Sequence, residues 1–377
     1  MDGNVERFET VVVGGGQAGL VVGYHLGKAG RDFVILDASE RVGDVWRNRW
    51  DSLRLFTPAR YDGLPGMRFP ASGGHAPTKD EMADYVAAYA ERFSLPVRSG
   101  VRVDRLSRNG DGYELTAGDH RYESDDVVIA TGAFGSPRVP AFARELDPSI
   151  VQLHSSEYRN PSQLRDGGVL VVGSGNSGGE ISIEVVQRHP TWLSGRPAGV
   201  IPVRIDGFLA RNVLVRGFRF AGTHVLTLRT PIGRKVAKKI QAHGDPLVRV
   251  KPKDLDSAGV ERVPRTVGAR DGLPVLGDGR VLDVTNVIWC TGSRQDLSWV
   301  DLPIFGEDGR PVHWRGVAAG APGIYFVGLH FQYAEASSVL PGMPRDARYV
   351  ARHLLGNARS RPSPTERQPS LAARSER

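Results

Sequence analysis

A single cysteine, Cys290, stands among the 377 residues. No intramolecular disulfide is therefore available, and neither is a redox dithiol pair. Histidines number ten, scattered from His25 to His353 with no HxH, HExxH or Cys/His cluster, so no dedicated metal site is expected. No apolar run reaches the roughly 18 uncharged residues that a spanning helix needs, so no integral membrane association is expected. Residues 10–23 are apolar enough to imitate the core of a secretion signal. Their leading flank, however, carries Asp2, Glu6, Arg7 and Glu9, acidic where a signal needs positive charge. A cytoplasmic location is expected. What remains is an ordinary globular composition, 40% hydrophobic and 24% charged, at a length suited to about two or three domains.

Charge is unevenly spread. The net charge is +7, and residues 204–251 hold eleven Lys and Arg against Asp206 and Asp245. Phe208, Leu209, Val213, Leu214 and Phe218 interleave with the arginines. Two readings follow: a solvated helical face over a packed apolar one, or a peripheral contact with an anionic surface. Nucleic acid is not expected, because no binding motif accompanies the charge. Residues 357–377, rich in Pro, Ser and Arg with almost nothing to bury, are read as a disordered basic tail.

The strongest signal is glycine. Residues 8–13 read as a buried parallel strand, followed by Gly14-Gly15-Gly16-Gln17-Ala18-Gly19, a helix over 20–29 and a second strand over 32–37 that ends in Asp37. Gly14 is expected to make the tight turn, Gly16 to let a pyrophosphate approach the backbone, and Gly19 to bring helix and strand together. The helix N-terminus then faces the anion with free N–H groups. Asp37, 23 residues after Gly14, is placed for a ribose diol.

The unit recurs. Residues 169–172 form a strand, Gly173-Ser174-Gly175-Asn176-Ser177-Gly178 a loop, and 179–188 a helix. The next strand, 191–193, runs into Ser194-Gly195-Arg196 where the first unit has an acid. A carboxylate there would repel a 2′-phosphate, whereas Ser194 and Arg196 suit one, so the second site is read as built for NADPH. A surface role for Arg196, with NADH as cofactor, is the alternative. The strands that end in Thr131-Gly132 and Thr291-Gly292 lie at matched distances, 117 and 118 residues, from Gly14 and Gly173. Matched spacing indicates two related dinucleotide-binding folds in one chain. Residues 101–106 and 113–116, joined by Asn109-Gly110-Asp111-Gly112, read as a β-hairpin inserted in the first.

Over residues 8–355 these motifs resemble the flavin-containing monooxygenase family, which includes the plant YUCCA-type enzymes and bacterial relatives. The resemblance also takes in Gly43-Asp44-Val45-Trp46, Pro77-Thr78-Lys79 before a helix, and Tyr325-Phe326-Val327-Gly328. It implies an α/β fold of two Rossmann-like domains, an FAD domain with an NADPH domain inserted. The expected division is 1–160 (FAD, first part), 161–292 (NADPH) and 293–356 (FAD, second part). The cofactor-binding residues expected are Gly14, Gly16, Gln17, Ala18, Gly19, Asp37, Val45, Trp46, Thr131, Gly132, Gly173, Gly175, Asn176, Ser177, Gly178, Ser194, Arg196, Thr291, Gly292 and Gly328. No catalytic side chain is named.

Departures are plain. In the family's Phe-x-Gly-x-x-x-His pattern, followed four residues on by an aromatic, His154 and Tyr158 fit, but Pro148 and Ile150 stand where Phe and Gly would be. Thr57 followed by Pro58 stands where the animal enzymes carry an active-site Asn. His154 reads either as a linker residue near NADPH or as a surface histidine. The implied function is NADPH-dependent transfer of one oxygen atom from O₂ to a small organic substrate through a C4a-(hydro)peroxyflavin. The alternative is an NADPH-dependent flavin reductase or electron-transfer protein, and a homodimer stays open.

Overall fold

The computed structural model describes residues 5–132, 135–197, 199, 215–243 and 246–358. Its two large sheets follow from apolar runs buried on both faces, which sort their side chains alternately to opposite sides. In the first sheet β1 (Val5–Val13) lies between β2 (Phe33–Leu36) and β6 (His120–Ile129), parallel to both. Val12, Ile35 and Val128 enter the core beneath α1 (Gln17–Lys28) and α3 (Lys79–Arg92). Val11, Val13, Val34, Leu36, Val127 and Ile129 enter the core on the other face. A short helix, α2 (Asp44–Arg47), sits between β2 and α3. The sheet continues through β3 (Val97–Arg98) beside β2.

Residues 105–129 form an antiparallel meander, β4 (Arg105–Asn109), β5 (Gly112–Ala117) and β6. The hairpin turn is where the sequence places it, but the first strand begins at Arg105 rather than 101. The N–H of Val101 is instead taken by the carbonyl of Asp37. The strand expected to end in Thr131-Gly132 is the second half of a ten-residue β6 that stops at Ile129. Strand β6 pairs parallel with β1 along almost its whole length, and its other edge takes β5 over the first half and Ile324–Phe326 over the second.

The chain then crosses over through β7 (Ser136–Pro137) to β8 (Val151–His154), β9 (Val169–Val172), α4 (Asn176–Val185) and β10 (Thr191–Ser194). Beyond them lie α5 (Val215–Phe220), α6 (Pro231–His243) and α7 (Pro252–Ala258). Strands β11 (Glu261–Val263), β12 (Thr266–Arg270), β13 (Leu273–Leu276) and β14 (Asn286–Trp289) follow. The second sheet is all parallel in the order β11-β10-β9-β14-β8. Its fifth strand, β8, precedes residue 161, so the second sheet reaches back across the division expected at 160/161. Strand periodicity cannot say which sheet a short strand joins; pairing with β14 decides it.

A second crossing, β15 (Ser293–Arg294), pairs antiparallel with β7, so the two linkers form one ribbon. The chain closes on the first unit with β16 (Val300–Asp301), β17 (His313–Trp314), β18 (Val317–Ala318), β19 (Ile324–Phe326) and α8 (Met343–Ala358). Strand β19 lies parallel to β6 as β8 lies parallel to β14. The first sheet thus takes β19 from beyond both crossings, whereas β8 lies between them with the rest of the second sheet. Asn357 and Ala358 belong to α8; the remainder of the expected tail, 359–377, lies outside the described residues, as do 204–214 and 244–245 of the basic segment.

Candidate functional site

The two glycine loops are alike at the level of single backbone groups. Gly14 has φ +111° and Gly173 φ +116°, and a Cβ on either would overlap the carbonyl of the residue after the fourth strand, Ala130 or Cys290. The N–H of Gly14 goes to Leu36 O (2.7 Å) and that of Gly173 to Ser194 O (2.8 Å), the last residues of the respective second strands. A Cβ on Gly19 would strike Gly14 O, and one on Gly178 would strike Gly173 O. These glycines are required because strand turn and helix touch backbone to backbone.

Gly16 and Gly175 are the N-caps of α1 and α4. Among the described residues neither helix has a side-chain cap, neither has an acid in its first turn, and a Cβ on either glycine would meet nothing within 4 Å. By contrast, α3 satisfies its own start: Thr78 accepts from Glu81 N (3.1 Å), Glu81 returns the bond to Thr78 N (2.7 Å), and Asp80 adds charge. A helix that leaves its N-terminal N–H groups without protein partners, behind an open glycine, fits a pyrophosphate. Gln17 and Ala18 open α1, as Asn176 and Ser177 open α4.

Asp37 stands just past β2. Its Oδ2 accepts from Gly15 N (2.6 Å) and its Oδ1 from Ser39 N (2.7 Å), which fixes the carboxylate while each oxygen keeps a second lone pair. Gly328 (φ +87°) lies over the start of α1, where its Cβ would sit 3.4 Å from Ala18. Val45 is exposed on α2, and the buried Trp46 Nε1 has no acceptor among the described residues.

The second strand of the second unit corrects one expectation. Ser194 is fully buried; its hydroxyl bonds Pro264 O (3.0 Å) and Thr266 Oγ1 (2.8 Å) and accepts from Thr266 N (2.8 Å). It is a packing residue with no face toward a ligand. Arg196 is exposed, and its carbonyl takes the hydroxyl of Ser174, which ties the strand end to the loop.

Thr131-Gly132 and Thr291-Gly292 begin the two crossings, with φ +76° at Gly132 and +77° at Gly292. Gln295 donates to Gly132 O (3.1 Å), Arg138 N to Gly292 O (3.0 Å), and Thr291 Oγ1 to Arg138 O. His154 is buried rather than on the surface, with Nε2 3.1 Å from Gly292 O and Nδ1 2.8 Å from Ser156 Oγ. Burial holds its pKa below the ordinary histidine value, against the opposing bond to Gly292.

Three features had no sequence signal. Trp50, from the first unit, is buried in the second unit's core with Tyr158, Ile181 and Ile288. Asp51 N donates to Arg159 O (2.7 Å) and Asn160 Nδ2 to Asp51 Oδ2 (2.7 Å) beside it. Second, Asp62 is fully buried, with Oδ1 against the Thr57 hydroxyl and Oδ2 without a partner among the described residues. Burial pushes its carboxyl up to about 7, opposed by the bond from Thr57.

Third, the segment between β10 and β11 straps the two units together. Leu228 N donates to Tyr333 O (2.8 Å), Glu335 N to Leu226 O (3.0 Å), and Arg345 to Thr223 O. Arg219 lies over the Tyr61 ring at 5.0 Å, and Arg249 reaches Arg54 O (3.0 Å). At its other end both polar atoms of Asn176 are engaged, donating to Pro246 O (3.0 Å) and accepting from Val248 N (2.8 Å).

Comparison with known proteins agrees with this architecture. Residues 11–191 match the family described as pyridine nucleotide-disulphide oxidoreductase. The lone Cys290 leaves the dithiol chemistry in that description without its second thiol. The chain is 36% identical to an uncharacterized oxidoreductase, CzcO-like, of Geobacillus kaustophilus, over 93% of this chain and 99% of that one. It is 29% identical to a probable indole-3-pyruvate monooxygenase, YUCCA3, of Arabidopsis thaliana, over 85% and 81%. The solved flavin-containing monooxygenase from Stenotrophomonas maltophilia superposes with a TM-score of 0.74 at 30% identity, over 94% of this chain and 99% of that one. With its paired dinucleotide-binding units, the chain belongs to the flavin-containing monooxygenase family, oxidoreductases that use FAD and NADPH.

Proposed function

We propose that this flavin-dependent monooxygenase holds FAD on the Gly14 loop and NADPH on the Gly173 loop, and oxygenates a small organic substrate. The observation that carries the reading is the pair of uncapped helices behind matched glycine turns, only the first of which is followed by an acid, Asp37. When bound, FAD reduced by NADPH supplies the activation of O₂, so no nucleophile of the chain is needed.

The chain's own residues position and seclude. The N–H groups of Gln17 and Ala18 at the start of α1 face the FAD pyrophosphate, and Asp37 takes the adenosine ribose. Those of Asn176 and Ser177 do the same for NADPH, whose 2′-phosphate meets Arg196. Thr131-Gly132, Thr291-Gly292, Val45, Trp46 and Gly328 would complete the two cofactor sites. The residues before Ser136 and after Arg294 form the FAD domain, and those between form the NADPH domain. The strap over Tyr61 and Tyr333 limits water at their junction, the condition for coupling reduction to oxygen transfer.

The test is an oxygen balance. Purified holoenzyme is given NADPH and isotope-labelled O₂ across a panel of small amines, thioethers, ketones and 2-oxo acids. Label in a product, with a matching fall in H₂O₂ released per NADPH, is the expected result. Release of all reducing equivalents as H₂O₂ with every compound, together with rapid reduction of an added electron acceptor, would point to a reductase instead.

A further inference from the structure

The strap has an outer face that the oxygenation reading leaves unused. Residues 215–243 contain seven Lys and Arg and no Asp or Glu. Within α6, Ala237 is buried at 5% exposure and Gly233 is buried, one turn apart, while Lys235, Lys238 and Lys239 are exposed, as is Arg234, whose guanidinium donates to Leu228 O (3.2 Å) and Arg229 O (3.1 Å). Arg216 and Arg229 are exposed as well. Beside these cations stand Phe220 at 61%, Ile232 at 61% and Val225 at 39% exposure. The Thr230 hydroxyl donates to Val225 O at 2.6 Å and accepts from Gly233 N at 3.0 Å, which folds the end of the first helical stretch against the start of α6 as one corner, while Phe220 stacks on His224 just before it. Main-chain bonds to Tyr333 and Glu335 hold the corner on the FAD-type unit, so its shape is set from beneath.

We propose that this face docks the protein peripherally on an anionic lipid bilayer. Phosphate headgroups meet the basic residues, and Phe220, Val225 and Ile232 enter the boundary between headgroups and acyl chains. An acidic soluble protein would satisfy the cations but leave the three apolar side chains in water. A bilayer takes both, because Lys and Arg keep their charge at the headgroup level while their stems lie along apolar surface. No helix among the described residues is long and apolar enough to cross a membrane, so the contact is one of surface docking.

The experiment is flotation of full-length holoenzyme with vesicles of phosphatidylcholine alone and with roughly a third phosphatidylglycerol, from about 0.05 to about 0.5 M NaCl. Expected is binding to the anionic vesicles only, weakened about tenfold or more across the salt range. The variants F220S/I232S and K235E/K238E should each lower low-salt binding about tenfold or more, with flavin content and NADPH oxidation unchanged. Absence of flotation of the unmodified protein at low salt overturns the proposal without need of any variant. Binding abolished by K235E/K238E but untouched by F220S/I232S also overturns it, and assigns the face to an acidic protein. Because NADPH oxidation is read in parallel, either failure leaves the oxygenase reading to its own test.

Discussion

His154 Nε2 lies 3.1 Å from the carbonyl oxygen of Gly292, which also accepts from Arg138 N at 3.0 Å. The last residue of β8, reached after the first crossing, thereby holds the backbone of the second. With Nε2 donating, Nδ1 is the acceptor for Ser156, so the neutral imidazole satisfies every partner.

Because burial keeps the folded-state pKa of His154 below the ordinary 6.5, the neutral form is favoured by folding. Its contribution is present in full above the unfolded value and is lost as pH falls below it, by at most about 1.4 kcal/mol per pH unit. In H154Q the amide nitrogen can still donate to Gly292 but does not titrate. Chemical denaturation of parent and variant between about pH 7.5 and 5 should show a shallower loss for H154Q. Parallel profiles would remove His154 from this role.

The two loops should fail separately. A methyl at Gly19 or Gly178 collides with a backbone carbonyl, a local cost of roughly 1–3 kcal/mol. Gel filtration of G19A should strip the flavin. G178A should retain it, with a KM for NADPH raised about tenfold or more. Flavin lost from G178A and kept by G19A would reverse the assignment of the two sites.

Arg196 and Ser194 should part company. Removal of a charged donor to phosphate costs about 1.5–3 kcal/mol, so R196A should raise KM for NADPH roughly ten- to hundredfold with little effect on NADH. S194A, which removes a buried hydroxyl, should lower thermal stability and leave the NADPH/NADH ratio alone. An unchanged ratio in R196A would return that side chain to the surface.

Asp62 has the opposite sign from His154. Its folded pKa of about 7 lies above the ordinary 3.8, so the protonated form is favoured by folding. Stability is full below the ordinary value and declines as pH rises to about 7, by at most about 1.4 kcal/mol per pH unit. D62N keeps an acceptor for Thr57 and carries no titratable proton. Its melting temperature should gain on the parent from pH 5 to pH 8, and a constant difference across that range would refute the assignment.

The sequence alone determined the repeated unit: strand, glycine turn, helix and second strand are contiguous, and each glycine answers a local steric demand at Gly14, Gly19, Gly173 or Gly178. Family membership was legible for the same reason. Only the tertiary structure decided what depends on residues far apart in the chain. Ser194 has the chemistry of a phosphate ligand, but β12 lies over it and Thr266 takes its hydroxyl. Strand β8 is four residues that could join either sheet until β14 claims them. Trp50 reads as part of the first unit and is buried in the second, and Asp62 shows its burial only once the chain is closed around it. Local backbone geometry is written in neighbouring residues; burial and pairing belong to partners that only the folded chain brings together.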